Sequence, residues 1–152
     1  MTTVQDLIAY VEGLSGHLLN RDEGVHHGSA ERPLTGALVC WMATQEALAR
    51  AGAEGVELVI AHESLYYPYE ALPGQAEPPG WEDWPTNRQR RELLKRHNLT
   101  LLRVHGSLDE ICIFDAFAAL LGLGQPVEVA PGLVQVYEIA PRPLAELIAQ
   151  VK

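Results

Sequence analysis

The chain has 152 residues, of which 20 are acidic and 11 basic, and its formal charge of −9 argues against a surface that binds a phosphate backbone. Its length suits one domain with a hydrophobic core. No apolar run approaches the ~20 residues of a membrane span, and the N-terminus lacks the apolar centre of a signal peptide. Cys40 and Cys112 each lie in an apolar segment without Cys-x-x-Cys spacing, which favours buried free thiols in a reducing compartment. We therefore expect a cytoplasmic protein with no nucleic-acid or membrane partner.

The first half of the chain predicts helices and strands in alternation. Apolar residues at helical spacing predict a helix over 3–14, and residues 24–28 are a candidate short strand. Residues 37–42 are uniformly apolar, which predicts a strand buried on both faces. Thr44 is a candidate N-cap for a helix over 45–51, and a further strand covers 56–61. The order strand, helix, strand over 37–61 implies parallel strands joined by a right-handed crossover.

The second half begins with a segment over 66–85 that is rich in Pro, Gly, Tyr and Trp. This composition indicates an ordered loop over a site or an interface. The next predicted element is a polar helix that Thr86 caps and that extends to about His97. It is followed by a strand over 99–104, a helix from Ser107 or Asp109 to Gly122, a hairpin of 127–129 with 133–137, and a helix over 141–152. The sequence thus predicts a single α/β domain over 1–152 whose mixed sheet contains β-α-β units flanked by helices.

Polar side chains follow two of the predicted strands at the point where each strand ends. His62 and Glu63 follow one strand, and His105 and Asp109 follow the other. Ligands and catalytic groups collect at the carboxyl ends of the strands in an open α/β sheet. Imidazole and carboxylate are suitable ligands for zinc, iron, manganese or nickel. His62 and Glu63 share one site only if the strand has already ended, because neighbouring strand residues point to opposite faces.

Simpler interpretations exist for the same residues. His62 could be hydrogen-bonded beneath a loop, and Asp109 could serve only as a helix N-cap. His105 could orient Asp109 rather than bind an ion. Of the pair His26 and His27, at most one is expected to reach a site.

Other catalytic patterns receive little support. Ser64 and Ser107 lie near the strand ends, but neither stands in Gly-x-Ser-x-Gly, and no phosphate-binding loop occurs. The basic residues between Arg88 and Arg96 are typical of a solvated helix face. The aromatic residues of the loop could stack on a ring-shaped ligand, but packing onto the core is the simpler interpretation: Tyr66, Tyr67, Tyr69, Trp81 and Trp84.

Four segments resemble the motifs of one known family. Residues 58–67 resemble I-I-x-H-H-P-L-x-F, and residues 105–109 resemble H-T-N-L-D. Residues 120–123 match L-L-G-L, and residues 22–28 resemble D-N-x-G-L-x-x-G. These segments occur in the family's order, so the chain resembles the Nif-three-like dinuclear metal-centre proteins, also called GTP cyclohydrolase I type 2 homologues.

The resemblance implies an α/β fold that assembles into a toroidal hexamer, with a two-metal site facing an internal cavity. By position, His62 and Asp109 match metal ligands, Glu63 stands where the family has a second His, and His105 matches a His close to the metals. The family's remaining ligands, a His and a bridging Glu, come from a C-terminal stretch that is not matched here. His26, His27 or His105 could then complete a mononuclear site.

Two functions follow from these residues and motifs. The first is a metal-dependent hydrolase that acts on a nucleotide-like or other small molecule, with one or two zinc, iron or manganese ions on His62, Glu63 and Asp109, and with His105 or Glu63 as the proton acceptor. The second is a non-catalytic homo-oligomeric binding module with a degenerate metal site. Bound metal that is lost in an Asp109→Ala variant would distinguish the first from the second.

Overall fold

The computed structural model of the chain describes residues 1–67, 78–130 and 134–151. The chain divides into two compact units, Met1–Ser107 and Leu108–Lys152. The single domain expected over 1–152 stays a prediction.

The first unit contains a four-stranded mixed sheet with the order β1-β4-β3-β2. Its strands are β1 (Gly24–His27), β2 (Ala37–Cys40), β3 (Leu58–Ala61) and β4 (Thr100–Arg103). Strands β2, β3 and β4 are parallel, and β1 runs antiparallel to β4. The predicted mixed sheet is therefore confirmed, and so is the parallel pairing of the strands on either side of the helix over 45–54.

The first two helices begin at residues whose side chains cap the helix N-terminus. Helix α1 (Val4–Ser15) has a capping box, in which the Thr3 hydroxyl accepts a hydrogen bond from the Asp6 amide and the Asp6 carboxylate accepts one from the Thr3 amide. Helix α2 (Gln45–Glu54) is capped by Thr44, as predicted.

Helix α3 covers Pro85–Arg96 and starts earlier than predicted. Thr86 lies inside the helix and is not its cap. Trp84 occupies the N-cap position, and Pro85 is the first helical residue. Proline suits that position because its backbone lacks the N–H that would have no partner in the first turn.

The core of the first unit lies where α2 and α3 cover the central strands. Its largest fully buried side chains come from these elements and the segments beside them: Leu48, Val59, Leu65, Leu94, Leu99 and Leu101. Strand β4 is buried along its whole length. The two central strands, β3 and β4, are thereby packed within this core.

Strand β2 does not have the two buried faces that its apolar sequence predicts. It lies at the edge of the sheet, and its residues alternate between exposed and half-buried. Val39 is 71% exposed and the adjacent Trp41 is 56% exposed. The prediction was wrong because a short apolar run does not distinguish a central strand from an edge strand.

Aromatic residues on both sides of 68–77 contact one another. The ring centroids of Tyr66 and Trp81 lie 6.0 Å apart, and those of Tyr67 and Trp84 lie 5.8 Å apart. The fully buried Asn87 accepts a hydrogen bond from the Tyr67 amide at 2.8 Å and donates one to the Trp81 carbonyl at 2.8 Å. These contacts support packing rather than ligand stacking for the described part of the loop. Tyr69 lies outside the described residues.

Two expectations about single side chains also need correction. Arg90 does not lie on a solvated face, because it is 7% exposed and donates a hydrogen bond to the Leu65 carbonyl at 2.6 Å. Cys112 is an exposed thiol rather than a buried one, whereas Cys40 is half-buried.

The second unit starts as a helix. A π-helical turn over Asp109–Ile113 leads into α4 (Phe114–Leu121). Gly122 ends this helix with a φ of 63°, a conformation that glycine adopts without strain. Strands β5 (Glu128–Ala130) and β6 (Val134–Val136) pair antiparallel, which confirms the hairpin strands, and α5 covers Leu144–Val151. Among the described helices, none has the length and apolar character needed to cross a membrane.

Candidate metal centre

The carboxyl ends of β3 and β4 lie side by side and carry two histidines. The strands pair in parallel with Ala61 opposite Arg103. His62 directly follows β3, and His105 comes two residues after the end of β4. The two imidazole rings meet edge to face, with centroids 4.7 Å apart. Parallel pairing therefore brings together two residues that lie far apart in the sequence.

His62 is held where the chain leaves the sheet. Strand β3 ends at Ala61, and the amides of His62 and Glu63 both donate to the Trp41 carbonyl, at 3.1 and 2.9 Å. The Trp41 indole stacks on the His62 ring with centroids 3.9 Å apart. His62 is only 6% exposed. Backbone and ring contacts thus fix its position from two directions.

His105 is held by the loop that precedes β1. Its Nδ1 lies 2.8 Å from the Asp22 carboxylate, which also receives the Arg103 guanidinium at 3.1 Å. Burial raises the pKa of Asp22, but the hydrogen bond with His105 and the charge of Arg103 together lower the pKa below its usual value. Asp22 is therefore ionised at neutral pH and can only accept hydrogen bonds.

Glu23 fastens the same loop to the turn after β4. Its carboxylate accepts hydrogen bonds from the amides of His105 and Ser107 at 2.5 and 2.9 Å, from the Ser107 hydroxyl at 2.6 Å, and from the Asn20 amide at 2.6 Å. Burial raises the pKa of Glu23, and the hydrogen bonds from Ser107, Asn20 and His105 lower it below its usual value.

The hydrogen bonds of Glu23 predict that part of the free energy of unfolding is lost in acid. Because the folded-state pKa of Glu23 is lowered, its stabilisation is complete above the unfolded pKa of about 4.5 and is lost as the pH falls through the folded value. Glu23→Gln is expected to lower the free energy of unfolding by about 1–3 kcal/mol at neutral pH. The difference from wild type should shrink below pH ~4.5, as urea unfolding at a series of pH values would measure. A difference independent of pH would contradict this role of Glu23.

Three side chains form a group that could bind a metal ion. His62, His105 and Asp109 each offer one ligand atom, and these atoms all lie within 4.8 Å of one another. Asp109 is the first residue of the π-helical turn, and such turns are frequent at functional sites. Two imidazoles and one carboxylate fit zinc, iron or manganese.

The other predicted site residues lie outside this group of three. The Glu63 carboxylate lies 3.7 Å from Nδ1 of His62, so its roles as ligand or proton acceptor stay predictions. Nε2 of His26 lies 3.1 Å from the Asp22 carbonyl. Burial and the charge of Lys95 lower the pKa of His27, which favours its neutral form.

Sequence reasoning missed Asp22, Arg103 and Trp41 as neighbours of the two histidines. The sequence did contain an indication for Arg103, since it is a cation within the mostly apolar segment 100–104. A buried cation requires a hydrogen-bonding or oppositely charged partner. Asp22 lies 83 residues from His105 and belongs to a polar turn, so spacing alone gave no indication of its contact.

Comparison with protein-family models found no match, and comparison with curated proteins found none either. Solved structures do match. TTHA1606 from Thermus thermophilus superimposes with a TM-score of 0.66 at 18% identity, over 98% of this chain and 60% of that protein. A Bacillus cereus protein related to NIF3 gives 0.64 at 20% identity, over 86% of this chain and 36% of that protein.

Reduced HcgD from Methanocaldococcus jannaschii gives a TM-score of 0.65 at 16% identity, over 86% of this chain and 51% of that protein. The chain therefore spans between about a third and three fifths of the length of these structures. At such identities the similarity concerns the fold. The α/β arrangement expected from the sequence is thus confirmed, and the chain has the NIF3-like fold.

Proposed function

We propose that this chain binds a divalent metal ion through His62, His105 and Asp109 at the ends of the two central strands. The observation that supports the proposal is the convergence of their ligand atoms within 4.8 Å. His62 is held by Trp41, and His105 is held by Asp22 and Glu23. Imidazole rings held by their neighbours before the ion arrives lose little freedom on binding it.

The chemistry we propose is metal-dependent hydrolysis of a small molecule. When bound, a divalent ion supplies Lewis acidity and lowers the pKa of water to about 7. Glu63 is the candidate proton acceptor, because its carboxylate lies beside His62 without being one of the three converging groups. If it does not bind the ion, His105 is the alternative proton acceptor, since the Asp22 carboxylate 2.8 Å from its Nδ1 holds the ring in place. A nucleotide-like substrate is supported only by the resemblance of the sequence motifs.

The proposal is tested by the metal content of the gently purified protein and by its activity. Plasma mass spectrometry should find about one equivalent of zinc, iron or manganese per chain, and chelation should remove both the metal and any hydrolysis of phosphoester or amide model substrates. Protein that stays free of metal after incubation with each of these ions would overturn the proposal.

A second candidate function is assembly without catalysis, and the exposed edge strand β2 favours it. An open edge with apolar side chains is a surface on which further strands can pair. Val39 on this strand is 71% exposed, and Trp41 just after it is 56% exposed. We propose a homo-oligomer, for which the sequence resemblance suggests a hexamer.

The two free cysteines support a reducing, cytoplasmic setting.

Val39→Lys is expected to reduce the mass of the assembly, because a lysine on the edge of a sheet opposes pairing with another strand. Light scattering coupled to size exclusion would measure the mass. Tyr10→Lys is the matched control, because Tyr10 is 63% exposed and lies on helix α1. A monomeric wild-type protein at micromolar concentration would contradict this second function.

A further inference from the structure

Arg103 is a buried cation that contacts both histidines of the candidate centre. It is 5% exposed, at the carboxyl end of β4. Its Nε donates to the His62 carbonyl at 3.1 Å, and its Nη1 donates to the Asp22 carbonyl at 3.1 Å and lies 3.1 Å from the Asp22 carboxylate. Its Nη2 lies 3.2 Å from Nδ1 of His105. One guanidinium thus joins the loop before β1 to the ends of β3 and β4.

The contacts around Nδ1 of His105 select one tautomer of the ring. Asp22, as a carboxylate, only accepts hydrogen bonds, and Arg103 only donates them. If Nδ1 carried a lone pair, it would face the Asp22 oxygen at 2.8 Å, and two acceptors would repel each other at that distance. With a proton on Nδ1, the ring donates to Asp22, and the longer 3.2 Å approach of Arg103 is a contact between two donors. The shorter distance decides, because two acceptors at 2.8 Å would repel each other more strongly than two donors at 3.2 Å.

We infer that Asp22 and Arg103 are positioning residues for the metal centre. Asp22 fixes the proton of His105 on Nδ1, so that Nε2 presents its lone pair to the group of three. Arg103 holds the Asp22 carboxylate in place and anchors the backbone of His62 at the same time. As far as it concerns metal binding, this inference rests on the proposed function, whereas the tautomer is a property of the metal-free protein.

Positioning of this kind has a measurable effect on metal affinity. Loss of a carboxylate that orients a histidine ligand weakens metal binding by roughly 10–100-fold. Asp22→Asn keeps the size of the side chain, but its amide can donate to Nδ1 as well as accept from it. The variant therefore no longer selects the tautomer in which Nε2 is free to bind.

The first test is nitrogen-15 NMR of the metal-free protein at a pH where imidazole is neutral. Long-range proton–nitrogen correlation spectra assign the proton to Nδ1 or Nε2 of His105. We expect the Nδ1–H form in wild type and a shift towards the Nε2–H form in Asp22→Asn. A wild-type ring protonated on Nε2 would overturn the inference, whether or not the protein binds metal.

The second test is zinc affinity by competition with a chromophoric chelator. Asp22→Asn is expected to bind zinc roughly 10–100-fold more weakly than wild type. Glu57→Gln is the matched control, because Glu57 also accepts several hydrogen bonds, from Thr35 and Gly36, but contacts neither histidine in the described residues. Wild-type affinity in Asp22→Asn would overturn the inference. Wild-type protein that binds no zinc but shows the Nδ1–H form would contradict the proposed function and leave the tautomer assignment supported.

Discussion

His62→Ala and Asp109→Ala are each expected to weaken zinc binding by more than roughly 100-fold, which equals about 2.8 kcal/mol of binding free energy. Each substitution removes one of the three converging ligands, so only two protein ligands of the group remain. Two ligands leave half of the four-coordinate shell of a zinc ion to water. Competition with a chelator of known affinity would measure the change directly.

Matched controls separate a ligand from a residue that merely supports the fold. His17→Ala and Asp115→Ala remove the same side chains from exposed positions outside the group of three. Both controls should bind zinc as wild type does, and circular dichroism should show that all four variants are folded. Unchanged affinity in His62→Ala or Asp109→Ala would contradict the proposed centre.

Arg103→Ala is expected to lower the free energy of unfolding by about 2–4 kcal/mol. Removing one partner of a buried ion pair costs about 3–5 kcal/mol, because the other charge is left without compensation. The Asp22 side chain is 31% exposed, so water screens part of that cost. The substitution also removes the donors to the carbonyls of His62 and Asp22. Urea unfolding monitored by circular dichroism would measure the loss.

Arg50→Ala provides the contrast for this prediction. Arg50 forms a 3.9 Å ion pair with Glu54, and its side chain is 73% exposed. An exposed pair of this kind stabilises a protein by about 0–1 kcal/mol. Equal losses in the two variants would contradict the role assigned to Arg103. A smaller loss in Arg103→Lys than in Arg103→Ala would separate the contribution of charge from that of the planar guanidinium.

The convergence of the ends of β3 and β4, which are followed by His62 and His105, could be predicted because apolar runs mark the central strands, and parallel strands end at the same edge of a sheet. The same reasoning required the strand to end before His62, and β3 does end at Ala61. These inferences depend on local patterns and on a general rule of topology. Neither the patterns nor the rule requires knowledge of the tertiary contacts that the loops make.

Asp22 and Trp41 could not be predicted in this way because their contacts depend on tertiary structure. Asp22 reaches His105 only because β1 lies antiparallel beside β4, on the side of the sheet away from β2. The exposure of Val39 was also missed, since an apolar strand looks the same in sequence whether it lies at the edge or the centre of a sheet. Thr86 was misplaced because Pro85 starts the helix one residue earlier.

The most direct test of the proposed centre is anomalous X-ray diffraction from crystals of the protein grown with zinc. Data collected at the zinc absorption edge should show one peak about 2.0–2.1 Å from a ring nitrogen of His62 and from Nε2 of His105, with an oxygen of Asp109 at a similar distance. An anomalous peak on other residues, or none above background in zinc-containing crystals, would contradict the proposal that the ends of β3 and β4 form a metal centre.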